Sequence, residues 1–170
     1  MNRLPIIAFS VSVLASAPAL RADTATITVT GHVLPGTCTL PADLPVALDE
    51  ISTDALKAGH DNGLKPTTLA FSGCMGVSTI DLAFDGVADA AQDGHWSNTA
   101  STGQTATGVA VVLLHGNSGN DFLKKGDTRT IPVRGASANV PLRVGYFAKV
   151  PTAATAGAVA SMITVTAVYK

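Results

Sequence analysis

Charge is scarce in this chain: Lys, Arg, Asp and Glu supply 14% of its 170 residues and nearly cancel, leaving a formal net charge of −1. No Lys/Arg run offers a surface for nucleic acid, and no acidic tail offers a cation sink. Aromatic residues are scarcer still, at 5%, so a core has to be assembled from Val, Leu, Ile and Ala. The lone Trp96 lies in a polar stretch beside His95 and reads as a loop anchor packed on the end of the fold; the alternative is an aromatic that contacts a ligand. The four histidines, His32, His60, His95 and His115, form no HxH or HExxH pair and read as solvated residues. Gly116-Asn-Ser-Gly119 lacks the Gly-x-Ser-x-Gly spacing of a nucleophile elbow, and no glycine-rich loop carries the Lys and Ser of a phosphate cradle. No catalytic, cofactor-binding or metal-ligating residue is expected, and the chain does not read as an enzyme.

Long apolar runs are also missing, except at the start. Arg3 and the free amine precede an almost wholly apolar stretch, Leu4 to Leu14, followed by the small residues Ala15-Ser-Ala-Pro-Ala19. That is the pattern of a cleavable secretory signal peptide, too short and wrongly flanked for a membrane span. Cleavage is expected after Ala22, with Ala19 as the alternative, which makes residues 1–22 a leader and the mature protein exported. No later run reaches about 18 apolar residues, so no membrane insertion is expected. In an exported chain an even count of two cysteines reads as one disulfide, Cys38–Cys74, with a metal pair as the alternative. The closed loop of roughly 36 residues would contribute on the order of 4 kcal/mol in a chain-entropy model. About 150 mature residues suffice for one domain with one core.

What is present is strand pattern. Thr67–Cys74, Ser78–Phe84, Gly108–His115, Thr128–Val133, Val140–Val150 and Ala158–Tyr169 are β-rich segments separated by Gly, Pro and Asn. Val46–Ile51 can form a further short strand, and Ser52–Ala58 is the one plausible helical turn, ending at Gly59 and an Asp61-Asn62-Gly63 turn. Ala88–Gln104 reads as a long surface loop with room for one short strand. Short strands at this spacing describe an all-β sandwich.

The two ends carry the strictest alternation. From Ala25 to Val33, the residues Ala25, Ile27, Val29, Gly31 and Val33 fall on one face, and Thr24, Thr26, Thr28, Thr30 and His32 on the other. Near the other end Val159, Ser161, Ile163, Val165, Ala167 and Tyr169 share a face. Period two means extended strand, since successive side chains point to opposite sides of a pleat. An N-terminal strand orders only when it docks, and an apolar strand at a sheet edge invites pairing. Either these two segments pair within one subunit or each needs a partner from outside.

The sequence resembles the type 1 fimbrial subunits, the chaperone–usher pilins of Gram-negative bacteria. The resemblance is carried by Asp23–Val33 followed by Cys38, by Phe71–Asp89 around the second cysteine, by Val140–Val150, and by Gly157–Lys170 with Tyr169 next to last; Pro41–Leu64 and Ala90–Gly108 match least. It implies an incomplete immunoglobulin-like sandwich (37–170) with an open groove beside its last strand, lined by Val159, Ser161, Ile163, Val165, Ala167 and Tyr169. Residues 23–36 would be a donor-strand extension whose groove-facing residues are Ala25, Ile27, Val29, Gly31 and Val33. Gly31 would sit where two backbones approach closely, and Val33 in the last pocket, where exchange begins. The implied partners are a periplasmic chaperone, an outer-membrane usher and neighbouring pilins, and the implied place is a cell-surface fimbrium that supports adhesion. The alternative function is a tip adaptor or adhesin that binds a host ligand directly. Adhesins of the family add an N-terminal lectin domain and lack the extension, which favours the structural role for this single-domain chain.

Overall fold

A computed structural model describes residues 25–170; the expected leader, 1–22, and the start of the expected extension lie outside the described residues. The chain divides into one unit ending at Val33 and a second running from Leu34 to Lys170. In the first, Ala25–Val33 form no ladder, and Ile27, Val29 and Val33 are all at least 86% exposed. The alternation is there in sequence, but a strand needs a partner to satisfy its backbone.

The second unit is an all-β, immunoglobulin-like sandwich of two sheets. The strands are β1 (Thr37–Thr39), β2 (Asp61–Met75), β3 (Thr79–Gly86), β4 (Ala88–Asp89), β5 (His95–Ser97), β6 (Ala110–His115), β7 (Asp121–Phe122), β8 (Thr128–Pro132), β9 (Ser137–Phe147) and β10 (Ile163–Tyr169). The larger sheet runs β1-β2-β9-β6-β5-β4, with β7 on β6, and the smaller one runs β10-β3-β8. Every pairing between strands is antiparallel. Inward residues of both sheets make the main core: Leu69, Phe71, Val111, Leu113, Val140 and Leu142 face Ile80, Leu82, Phe84 and Ile131. Cys38 and Cys74 are disulfide-bonded and buried, tying β1 to the end of β2. Gly36 enters this joint backbone against backbone: a Cβ there would collide with the Gly76 carbonyl oxygen, so only glycine fits the approach.

Several expectations need correction. Asp61-Asn62-Gly63 is no turn between elements. It opens the 15-residue β2 through a register irregularity between Asn62 and Lys65, at which Gly63 takes φ +59°. The buried Asn62 side chain completes it, accepting from Lys57 N and donating to the His60 carbonyl, each at 2.8 Å. The expected helical turn is one 3-10 turn, Thr53–Ala55. Val46–Ile51 has the inside–outside alternation of a strand, with Val46 and Leu48 half-buried, yet joins no ladder.

Ala88–Gln104 is the largest departure. It holds β4, a 3-10 turn at Ala90–Gln92 and β5, and its Trp96 and His95 are 0% and 3% exposed. Trp96 enters the main core and donates Nε1 to the Leu123 carbonyl at 2.9 Å, which makes it a core residue with no face left for a ligand. His95, expected to be solvated, turns to the other side of β5. Its ring packs at 4.1 Å on Phe147 and at 5.2 Å on Phe122. Nδ1 is buried without a hydrogen-bond partner among the described residues. Burial, with Lys124 adding to it, pushes the imidazole down to about 4, against a smaller opposing pull from Asp93.

Candidate functional site

Among the described strands β10 pairs with β3 alone, from Ile163 opposite Gly86 to Tyr169 opposite Ile80. Its other edge borders an open groove of about 810 Å³. One wall is the β10 side, with Val159, Ser161, Ile163 and Val165 facing in. The floor comes from the larger sheet: Thr67 and Leu69 of β2, Leu142, Val144 and Tyr146 of β9, and Val111 and Leu113 of β6. The opposite wall is Ala42–Leu48, which joins no ladder and at Val46–Leu48 enters the segment with strand-like alternation. Pro41–Ile51 makes no backbone–backbone hydrogen bond to other described residues. Both walls therefore present backbone donors and acceptors across an apolar floor. A groove of this kind accepts an extended chain that pairs on both sides and buries every second side chain.

Of the six residues expected along the last strand, Val159, Ser161, Ile163 and Val165 line this groove. Ala167 and Tyr169 continue the same half-buried alternation but pack into the main core, Tyr169 edge-on to Phe71 at 6.4 Å. The ladder itself starts only at Ile163. Before it, the chain from Thr155 to Ala160 is held by the 98–107 loop through Thr155 N to the Thr107 carbonyl, Ala158 N to the Gln104 carbonyl and Ala106 N to the Ala158 carbonyl. Gly157 lies so close to the Gln104–Ala106 backbone that any side chain would collide with it.

Two residues that shape the groove were not visible as such in sequence. Asn98 uses both ends of its amide. Nδ2 donates to the Ala106 and Ala158 carbonyls at 2.8 and 3.0 Å, while Oδ1 accepts from Ala160 N at 2.9 Å and Ala100 N at 3.1 Å. Tyr146, on the floor, donates its hydroxyl to the Asp49 carbonyl at 3.0 Å. Burial, with Asp49 and Glu50 nearby, pushes its phenol up, so it stays a donor at neutral pH. A sequence signal existed only for Asn98, as a polar residue inside a loop that has to be held. Beyond Tyr146 and Val159 lies a second pocket of about 300 Å³, lined by Ile51, Leu56, Val109 and Thr155–Gly157 among others.

The donor-pattern residues Ala25, Ile27, Val29, Gly31 and Val33 are all exposed, and beyond its two chain neighbours no heavy atom lies within 4 Å of the position a Gly31 Cβ would take.

Comparison with known proteins agrees with this architecture. The S-fimbrial adhesin protein SfaS of Escherichia coli O6:K15:H31 (strain 536 / UPEC) is 30% identical over 145 residues, covering 85% of this chain and 84% of SfaS. Among solved structures, the P pilus rod subunit PapA superposes with a TM-score of 0.63 at 17% identity, covering 78% of this chain and 99% of PapA. The CupB6 tip adhesin from Pseudomonas aeruginosa also gives 0.63 at 17% identity, covering 78% of this chain but 38% of the adhesin. The family profile described as Fimbrial protein matches residues 27–170, and the chain belongs to that family as a subunit of a cell-surface fimbria.

Proposed function

We propose that the groove beside β10 is filled in trans by the Ala25–Val33 segment of a neighbouring subunit, and that fimbriae grow by repeating this joint. The observation that carries the reading is the match of two patterns in one chain. A groove with apolar floor and unpaired backbone on both walls stands beside an alternating face, Val159 to Tyr169. The exposed N-terminal segment carries a complementary alternation of small apolar residues. Nine residues of extended chain span about 30 Å, within the reach of the eleven residues from Val159 to Tyr169. Val33, last in the donor pattern, has the pocket beyond Tyr146 to occupy, where Ile51, Leu56 and Val109 offer apolar contacts. Burial of four apolar side chains at about 1.5–3 kcal/mol each, less for Ala25, gives on the order of 5–10 kcal/mol per joint before the backbone ladder is added. Persistence of the fibre is kinetic as much as thermodynamic.

On this reading an empty groove is an aggregation hazard during export. A periplasmic chaperone lends a strand until the outer-membrane usher exchanges it for the next subunit's extension. A second reading, an adaptor or adhesin that contacts a host ligand itself, is favoured by the name of the relative SfaS. The test is complementation: adding residues 23–36 as a peptide, or fusing them after Lys170, raises the melting temperature and converts a self-associating chain into a monomer. A chain that is monomeric alone and indifferent to the peptide overturns the proposal.

A further inference from the structure

The groove is one long opening whose two walls are fixed by different means at the end beyond Val159. On the β10 side, the lead-in Ala158–Ala160 is outside the ladder; backbone bonds to Thr99, Gln104 and Ala106 hold it, and the Asn98 amide clips it further by taking the Ala158 carbonyl and Ala160 N at once. On the opposite side, Pro41–Ile51 has no backbone partner among the described residues. Its side-chain ties in this region are the Tyr146 hydroxyl on the Asp49 carbonyl at 3.0 Å and an exposed ion pair, Lys65–Asp49, also 3.0 Å. An exposed pair of this kind contributes little, so the Tyr146 hydrogen bond is the stronger tie. Tyr146 rises from the floor, lining both the groove and the pocket beyond it, as Val159 does on the far wall.

We propose that Tyr146 and Asn98 are positioning residues that preset the separation of the two groove walls at this end, so that an arriving extended chain finds both edges in place. The inference rests on the donor-strand reading above and adds which residues of the acceptor govern the speed of docking. Neither residue donates to the incoming backbone. Each holds a wall that does. A binding-competent state populated only in part lowers the apparent affinity by that fraction, and preorganisation acts on association when the bound state replaces the lost tie with its own ladder. Once a strand is paired to both walls the ladder holds them, and the two side chains become redundant.

The experiment measures association and dissociation of a labelled peptide with the sequence of residues 23–36 on the full chain. Wild-type chain has to bind the peptide; absence of binding overturns the donor-strand reading, and this proposal falls with it. Given binding, Tyr146→Phe, which keeps the ring and removes one hydroxyl, slows association about fivefold, the equivalent of one hydrogen bond of about 1 kcal/mol, with dissociation unchanged. Asn98→Asp, which removes both donors, slows it at least as much. Asp49→Asn keeps the carbonyl that Tyr146 uses and loses only the ion pair, so it associates at the wild-type rate. Faster dissociation with association intact means that the two residues merely stabilise the complex, and overturns the proposal. So does an unchanged association rate in either Tyr146→Phe or Asn98→Asp, because one wall alone cannot set a separation.

Discussion

The smaller sheet has two edges, and they are built on opposite plans. At one edge stands β8, five residues long and closed by Pro132, with Arg129 on the same face as the buried Ile131. Arg129 is paired to Asp121, whose other oxygen meets His115 Nδ1 at 3.1 Å, and the guanidinium holds the Asp121 carboxyl below the usual carboxylate range. A short strand, a proline and an inward charge are the devices by which sheet edges avoid pairing. At the other edge stands β10, seven residues long, with Ile163, Val165, Ala167 and Tyr169 inward and neither charge nor proline in its span. Both strands pair with β3, so their local backbone surroundings are alike. The difference lies in side-chain chemistry: the β8 edge carries devices against pairing that the β10 edge lacks.

Moving the guard to the open edge has the largest expected effect. Val165 lines the groove and is half-buried while the groove is empty, so Val165→Asp leaves its carboxylate partly solvated and the chain folds. A strand laid over it buries that charge unpaired, at a cost of several kcal/mol. Peptide binding is expected to fall at least a hundredfold, and fibres lose the variant subunit altogether, scored by surface shearing and electron microscopy. The donor side mirrors this: Val29→Asp or Gly31→Leu blocks incorporation while leaving the acceptor groove intact, and Thr28→Ser is silent. Fibres built from Gly31→Leu subunits at wild-type levels contradict the assignment of the donor face.

How much of this contrast was legible in sequence follows from what each part depends on. The β10 alternation is local and periodic, and it reads directly from Val159 to Tyr169, as do the cysteine pair and the sandwich class. The start of the ladder was not legible, because Ala158–Met162 has strand pattern but is held by side chains and loop backbone of 98–107. Val46–Ile51 is the same lesson reversed: the pattern is present, and whether a ladder forms depends on a partner that pattern cannot supply. The segment 88–104 misled because Ala, Ser, Asp and Gly suggest a solvated loop. Its two bulky residues, His95 and Trp96, instead anchor it on opposite faces of β5.

Towards the far edge of the larger sheet β5 buries His95 and Trp96, and acid sharpens its contrast with the groove. His95 has a folded pKa of about 4, below its ordinary value of 6.5. Between those values the unfolded chain binds more protons than the folded one, so stability falls as pH drops from 6.5 towards 4. The gap is worth on the order of 3 kcal/mol when fully expressed. His95→Phe is expected to flatten the pH dependence of the denaturation midpoint in that window, while peptide binding measured at pH 7 stays unchanged. A slope that survives the substitution places the acid sensitivity elsewhere.

The smallest effect on stability tests the comparison most directly. Arg129 and Asp121 form a pair that is still partly open to solvent, and solvent-screened pairs contribute about 1 kcal/mol or less. Arg129→Thr together with Pro132→Thr is therefore expected to leave the melting temperature close to wild type. What changes is the edge itself: β8 becomes an uncharged strand able to donate along its full length. The measurement uses a chain with residues 23–36 fused after Lys170, so that the groove is filled and β10 contributes nothing. The filled wild type sediments as a monomer, and the filled double variant shows concentration-dependent association that a charge restored at position 129 reverses. If the double variant stays monomeric at high concentration, then short length alone protects β8. The asymmetry of the sheet would then rest on the length and apolar face of β10, with its partner edge needing no guard.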